Sequence, residues 1–171
     1  SDSRQMYAWE NKLEIIDSST ISLFKDILSC VGRNPSNGKR KGGIKVHTQI
    51  NLQEKVLKLI WFSSARTHDK QFLKYLELEK GKIAVFDKGY NDYKTFDEFN
   101  LNGIFFVTRL KSNASYESIK ENDIPSYIDD GVIKDEIIRV EVKENGVCLK
   151  TIELRKIAYW DDENKRCFEF I

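Results

Sequence analysis

Two aspartates stand in the same local setting. The short apolar run LEII leads directly into Asp17, and IAVF leads directly into Asp87. Each run reads as a short buried strand. In an open α/β sheet, sites gather at the carboxyl ends of the strands, so two adjacent strand ends would bring both carboxylates to one point. Carboxylate oxygens are hard ligands that suit Mg²⁺ or Mn²⁺. Two such ions, about 3.5–4 Å apart, stabilise the attacking and leaving oxygens of an in-line phosphoryl displacement. The competing role for an aspartate at a strand end is turn former or helix cap.

Positive charge is the second chemical signal. The stretch RNPSNGKRKGGIK carries Arg33, Lys39, Arg40, Lys41 and Lys45 and no acid. It reads as a solvated loop that can follow a nucleic-acid backbone without reading bases, with a plain surface loop as the alternative. It lacks the spacing of a phosphate-binding P-loop. Lys88 follows Asp87 directly, and Arg109 and Lys111 sit just past another strand end; all three are candidates for phosphate contact. His47 lies on the strand face opposite Ile44, Val46 and Thr48, which would point it toward a groove; a structural role outweighs that reading. His68 with Asp69 reads as a helix start rather than a metal pair. Ser18, Ser19 and Thr20 have no G-x-S-x-G and no histidine partner, so a turn-and-cap role outweighs a nucleophile. Tyr90 reads as core or site lining. Trp160 reads as hairpin packing, with base stacking as the alternative.

These residues need elements to position them. Leu13–Ile16 reads as a strand followed by a turn. Ile21 to Val31 has helical spacing. Ile44 to Leu52 alternates with strand period, and Val56 to Phe62 forms its hairpin partner. A helix carrying Phe72, Leu73, Tyr75, Leu76 and Leu78 ends at Gly81. Ile83–Phe86 is a strand, Tyr93, Phe96 and Phe99 mark a helix, and Ile104–Val107 is a strand. This alternation is α/β. After the polar stretch at residues 111–127, β-branched and aromatic residues dominate. Turns at Asn145-Gly146 and at Asp161–Asn164 predict an antiparallel β segment.

Composition bounds the classes. The 171 residues include 28 Lys+Arg, 27 Asp+Glu and 40% hydrophobic residues, enough to bury a core and to exclude disorder as the main state. Basic residues outnumber acidic ones up to residue 120, and the reverse holds afterwards. Cys30, Cys148 and Cys167 are odd in number and widely spaced, which argues against a disulfide framework or a zinc knuckle and favours a reducing cytoplasm. No apolar run approaches the roughly 20 residues of a membrane span, and the N-terminus has no signal-peptide core. Without an initiator Met, the chain reads as processed or cut from a longer one.

Four blocks in order, IIDSSTISL, KGGIKVHTQINL, AVFDKGYNDYKTF and GIFFVTRLKSN, resemble the catalytic domain of DDE transposases of the insertion-sequence-four group. RKIAYWDDENKRCFEF extends the resemblance more loosely towards the end. The family implies a ribonuclease H-like mixed sheet flanked by helices, with a β-rich insertion after it. On that basis residues 1–111 form a partial catalytic core and 112–171 part of the insertion. The resemblance makes Asp17 and Asp87 the first two catalytic, metal-binding acids. It implies Mg²⁺ or Mn²⁺ as cofactor and double-stranded DNA, at transposon ends and target, as partner. It also implies a homodimer on DNA and a bacterial cytoplasmic, nucleoid-associated setting. The reaction implied is metal-dependent strand cleavage and strand transfer. The family's third acid lies in the pattern Tyr-x2-Arg-x3-Glu-x6-Lys, and no tyrosine here has Arg at the third following position. The chain therefore reads as a transposase fragment lacking that glutamate. The alternatives are a non-catalytic DNA-binding remnant and a stand-alone ribonuclease H-like nuclease.

Overall fold

A computed structural model of the chain describes residues 7–22, 32–33, 41–128 and 131–171. Strand β1 (Leu13–Ser22) lies at the centre of a six-stranded mixed sheet. On one side it pairs antiparallel with β3 (Lys41–Asn51), which also holds β2 (Gly32–Arg33) and β4 (Val56–Ser64). On the other side it pairs parallel with β5 (Ile83–Phe86), and β5 pairs parallel with β6 (Phe105–Thr108).

The first correction concerns β1, which does not turn after Asp17. It continues through Ser18, Ser19 and Thr20 to Ser22, pairing Asp17 with Thr48 and Ser22 with Gly43. Backbone hydrogen bonds to a long neighbouring strand outweigh the local turn preference of Asp and Ser. Ile21 and Ser22 are thus strand, and the rest of the expected Ile21–Val31 helix lies outside the described residues. The second correction concerns the segment after His68, a 3₁₀ helix over Asp69–Tyr75, with Leu76 extended. So short a segment is marginal as an α-helix, and tertiary packing of Phe72 and Leu73 decides its form. His68 precedes it without a side-chain capping bond. Among the described residues, one α-helix flanks the sheet: α1 (Tyr93–Leu101). Gly103, at φ +66°, ends it as a left-handed cap, with Ile104 N–H donating to the Phe99 carbonyl.

One sheet face carries the core. Ile16, Ala84 and Phe86 point towards Phe72, Leu73, Tyr90 and Phe96, and aromatic rings fill the layer, with Phe96 4.3 Å from Phe106. Glu14 is buried on this face at the entry of β1. It accepts from Asn51 Nδ2 at 3.0 Å and Gln49 Nε2 at 3.4 Å and faces Lys58 and Lys82, which ties β1 to β3, β4 and the start of β5. The opposite face leaves Phe62, Phe105 and Val107 exposed.

The region after residue 111 forms a separate antiparallel sheet, in the order β10-β9-β8-β7. Its strands are β7 (Glu117–Glu121), β8 (Val132–Glu144), β9 (Val147–Asp161) and β10 (Arg166–Phe170). The turns fall at Asn145-Gly146, both with positive φ, and at residues 162–165, as the sequence predicts. The two sheets share one hydrophobic cluster. Thr108 and Ile171 exchange both backbone hydrogen bonds at 2.9 Å, so the strand that ends the second sheet is stitched to the end of β6.

Candidate functional site

The strand register brings three charged groups to one row. Ile16 pairs with Phe86, and Phe86 with Thr108. The residues that follow are Asp17, still on β1, and Asp87 and Arg109, each one residue past the end of β5 and β6. The sequence placed each aspartate after a short apolar run; the parallel pairing sets those two runs on adjacent strands. It also aligns Arg109 with them, an alignment visible only once FFVT is set beside IAVF.

Both Asp87 oxygens are engaged. Oδ1 accepts the Gly89 N–H at 3.0 Å, the cap of a single 3₁₀ turn over Lys88–Tyr90. Oδ2 accepts from Arg109 Nη2 at 2.7 Å. The Arg109 guanidinium, followed by the Gly89 and Lys88 amides, holds the carboxyl below its ordinary range, and partial burial opposes this. Asn91 fixes the backbone beside it: its Nδ2 donates to the Arg109 carbonyl and its Oδ1 accepts from Thr108 Oγ1, both at 3.0 Å. Nothing in the sequence singled out Asn91, because its partners lie across a strand crossover. Asp17 is exposed, with the Thr48 hydroxyl on its main-chain oxygen.

Beneath this row lies a buried polar pair. His47 is fully buried, stacked 5.0 Å from Phe72, with Nδ1 3.0 Å from the Tyr90 hydroxyl and Nε2 3.2 Å from Ser63 Oγ. The structural role expected for His47 holds, and it faces the core rather than a groove. Burial pushes the Tyr90 hydroxyl well above the ordinary phenol range against a hydrogen bond with Ser18, and the charges of Asp69, Asp17 and Asp87 push the same way. Tyr90 therefore reads as both core and underside of the site.

Lys88 and Lys111 come together with Asp87, Gly89, Ser112 and Asn113 around a cleft of about 320 Å³. Lys45 departs from the expected phosphate contact. Its ammonium is half-buried, bonded to Asp69 Oδ1 at 2.7 Å and to the Thr67 carbonyl, and so is committed to the fold. Arg33 and Lys41 are strand residues paired across β2 and β3 rather than loop residues. Lys39 and Arg40 lie outside the described residues, as does Cys30; Cys148 and Cys167 are exposed and free. Trp160 is partly exposed on β9, its Nε1 donating to Asp162.

Among the described residues, no three His, Cys, Asp or Glu side chains converge as a metal cage. The Asp17 and Asp87 carboxylates offer the hard oxygens that suit Mg²⁺, which is commonly held by one or two carboxylates, waters and substrate phosphate. Among the described residues, no helix is long and apolar enough to cross a membrane.

Comparison with known proteins gives a consistent family. Residues 10–166 match the family model described as a transposase DDE domain. The chain is 32% identical over 148 residues to y4zB of Sinorhizobium fredii, itself a transposase by assignment, covering 85% of this chain and 40% of that protein. It is 23% identical over 153 residues to the transposase for insertion sequence element IS231E of Bacillus thuringiensis subsp. finitimus, covering 86% of this chain and 31% of that protein. The chain thus spans less than half the length of these curated relatives. A cryo-EM structure of the piggyBac transposase synaptic complex with hairpin DNA aligns with 93% of this chain and 32% of that one, at 9% identity and a TM-score of 0.46. On the match across residues 10–166, the chain belongs to the transposase DDE domain family.

Proposed function

We propose that this chain is part of the DNA-processing core of a transposase, in which Asp17 and Asp87 hold a divalent cation, Mg²⁺ or Mn²⁺, at a DNA phosphate. The observation that supports this reading is the parallel register of β1 and β5, which pairs Ile16 with Phe86, the residues that directly precede Asp17 and Asp87. The antiparallel neighbour β3, which also holds β2 and β4, on one side of β1, and the parallel strands β5 and β6 on the other, support the ribonuclease H-like reading. A bound metal would polarise the phosphate and lower the pKa of an attacking water or 3′-hydroxyl. The chain's own residues bind and orient. Asp17 and Asp87 supply oxygen ligands, and Lys88, Lys111 and Arg109 offset phosphate charge around the cleft. The remaining basic stretch, including Lys39 and Arg40, would follow the backbone of double-stranded DNA.

Cleavage and strand transfer at transposon ends, a homodimer on DNA and a bacterial nucleoid setting belong to the same proposal. A third acid is not supplied by the family's glutamate pattern within these residues. The alternative reading is a non-catalytic DNA-binding remnant. Mn²⁺ binding in the presence of a DNA duplex, followed by loss of the free-ion paramagnetic signal, separates the two. The metal-site reading expects binding that Asp17→Asn and Asp87→Asn each remove. A remnant binds the duplex with no protein-dependent Mn²⁺ uptake.

A further inference from the structure

Arg109 and Asp87 form the one contact in the row that conflicts with metal binding as it stands. Asp87 Oδ2 is bonded to Arg109 Nη2 at 2.7 Å, and Oδ1 is bonded to the Gly89 amide. A cation arriving at Asp87 therefore meets a resident guanidinium. Both partners are well exposed, with side-chain exposures of 40% and 50%. An ion pair so exposed is weak enough to exchange. The guanidinium fork that matches a carboxylate matches a phosphate equally well. In the same pose the Arg109 Cζ lies 5.9 Å from the centre of the Phe168 ring on β10, which flanks the guanidinium. Its backbone cannot follow, since Asn91 holds the Arg109 carbonyl and the Thr108 hydroxyl while Ile171 holds the Thr108 amide. The side chain is the part free to move, on a fixed pivot beside Asp17 and Asp87.

We propose that Arg109 is a positioning residue that holds the Asp87 carboxylate in the absence of DNA and hands its guanidinium to a backbone phosphate when DNA binds, so that DNA binding and metal loading at Asp87 are coupled. This rests on the metal-site reading above. With no phosphate present, the guanidinium competes with the metal for Oδ2. With a phosphate present, Oδ2 is released and the metal meets one carboxylate more. The device would keep the two aspartates from being loaded away from DNA.

The test measures Mn²⁺ affinity of the full chain by paramagnetic resonance, with and without a short DNA duplex, subtracting Mn²⁺ bound by the duplex alone. Wild type is expected to bind Mn²⁺ more tightly with DNA. Arg109→Gln is expected to raise the DNA-free affinity about fivefold, the scale of an exposed ion pair, and to abolish the further gain from DNA. Arg109→Lys keeps a charge at Asp87 and is expected to retain the coupling. Arg166→Gln removes a neighbouring charge that also lies against Phe168 and is expected to behave as wild type. The proposal is overturned if Arg109→Gln binds Mn²⁺ as wild type does and keeps the DNA effect. It is also overturned if Arg166→Gln reproduces the Arg109→Gln result, since the effect is then general charge. If no variant binds Mn²⁺ in either condition, the metal-site reading itself fails, and the handover with it.

Discussion

His47 shows what one buried residue contributes. Burial holds its imidazole below the ordinary 6.5, opposed by the charge of Asp69 and assisted by that of Lys45. The folded chain therefore keeps a neutral ring where the unfolded chain takes up a proton. Stability from this residue is full above pH 6.5 and is lost as pH falls below that value through the lower folded-state pKa. Urea unfolding at about pH 7.5 and about pH 5.5 should show a larger loss for wild type than for His47→Gln. Equal losses would mean the ring does not titrate differently on folding. His47→Ala, which also removes the Tyr90 bond and the Phe72 stack, should cost roughly 2–4 kcal/mol at neutral pH, read from the same denaturation curves.

Between elements, buried charge sets the geometry of the second sheet. Lys156 on β9 is buried and reaches Glu136 on β8 at 2.8 Å, Glu169 on β10 at 2.7 Å and the Tyr116 hydroxyl at 2.6 Å. Burial pushes the Glu136 carboxyl up, but hydrogen bonds from Lys156, Ser118 and Lys134 outweigh it and bring the pKa down to about 2. Stability from Glu136 is thus present above its ordinary 4.5 and disappears as pH falls towards about 2. Lys156→Met leaves Glu136 buried without its main partner and should cost about 3 kcal/mol, whereas Lys156→Met with Glu136→Leu should recover most of it. Thermal unfolding of the two variants tests this, and a double variant no better than the single one would refute it. At the β8–β9 turn, Gly146 adopts φ +82° with open space around it. Gly146→Ala should cost about 1 kcal/mol through the backbone alone, a shift in unfolding midpoint with no change in the native spectrum.

For the molecule as a whole, the two sheets act as one support. The Thr108–Ile171 exchange places β10 against the strand end that carries Arg109, so the β-rich region abuts the aspartate row instead of hanging from it. Binding of a DNA duplex through Lys88, Lys111, Arg109 and the basic stretch should weaken steeply as salt rises from about 50 to about 200 mM. Fluorescence anisotropy across that range checks it, and salt-independent affinity would exclude phosphate-dominated binding. Lys88→Ala should reduce the salt slope by about one unit; Lys45→Ala should leave the slope alone and lower stability, because Lys45 is spent on Asp69.

What was readable from sequence was local. The period-two run of β3, the apolar run of β4, the β-branched and aromatic content of β8 and β9, the Asn145-Gly146 turn, the helix ended by Gly103 and the position of each aspartate after an apolar run all follow from neighbours in the chain. Strand pairing is not local. That β1 outruns Asp17 depends on the full length of β3. That Lys45 serves Asp69, and that His47 faces Tyr90, depends on which side of the sheet each residue takes. The row of Asp17, Asp87 and Arg109 exists because three runs separated in sequence settle into one parallel register. The chain fixes which residue follows each apolar run. Only the hydrogen-bonded sheet, whose register is set by burying Ile16 and Phe86 on a common face, decides that those runs lie side by side.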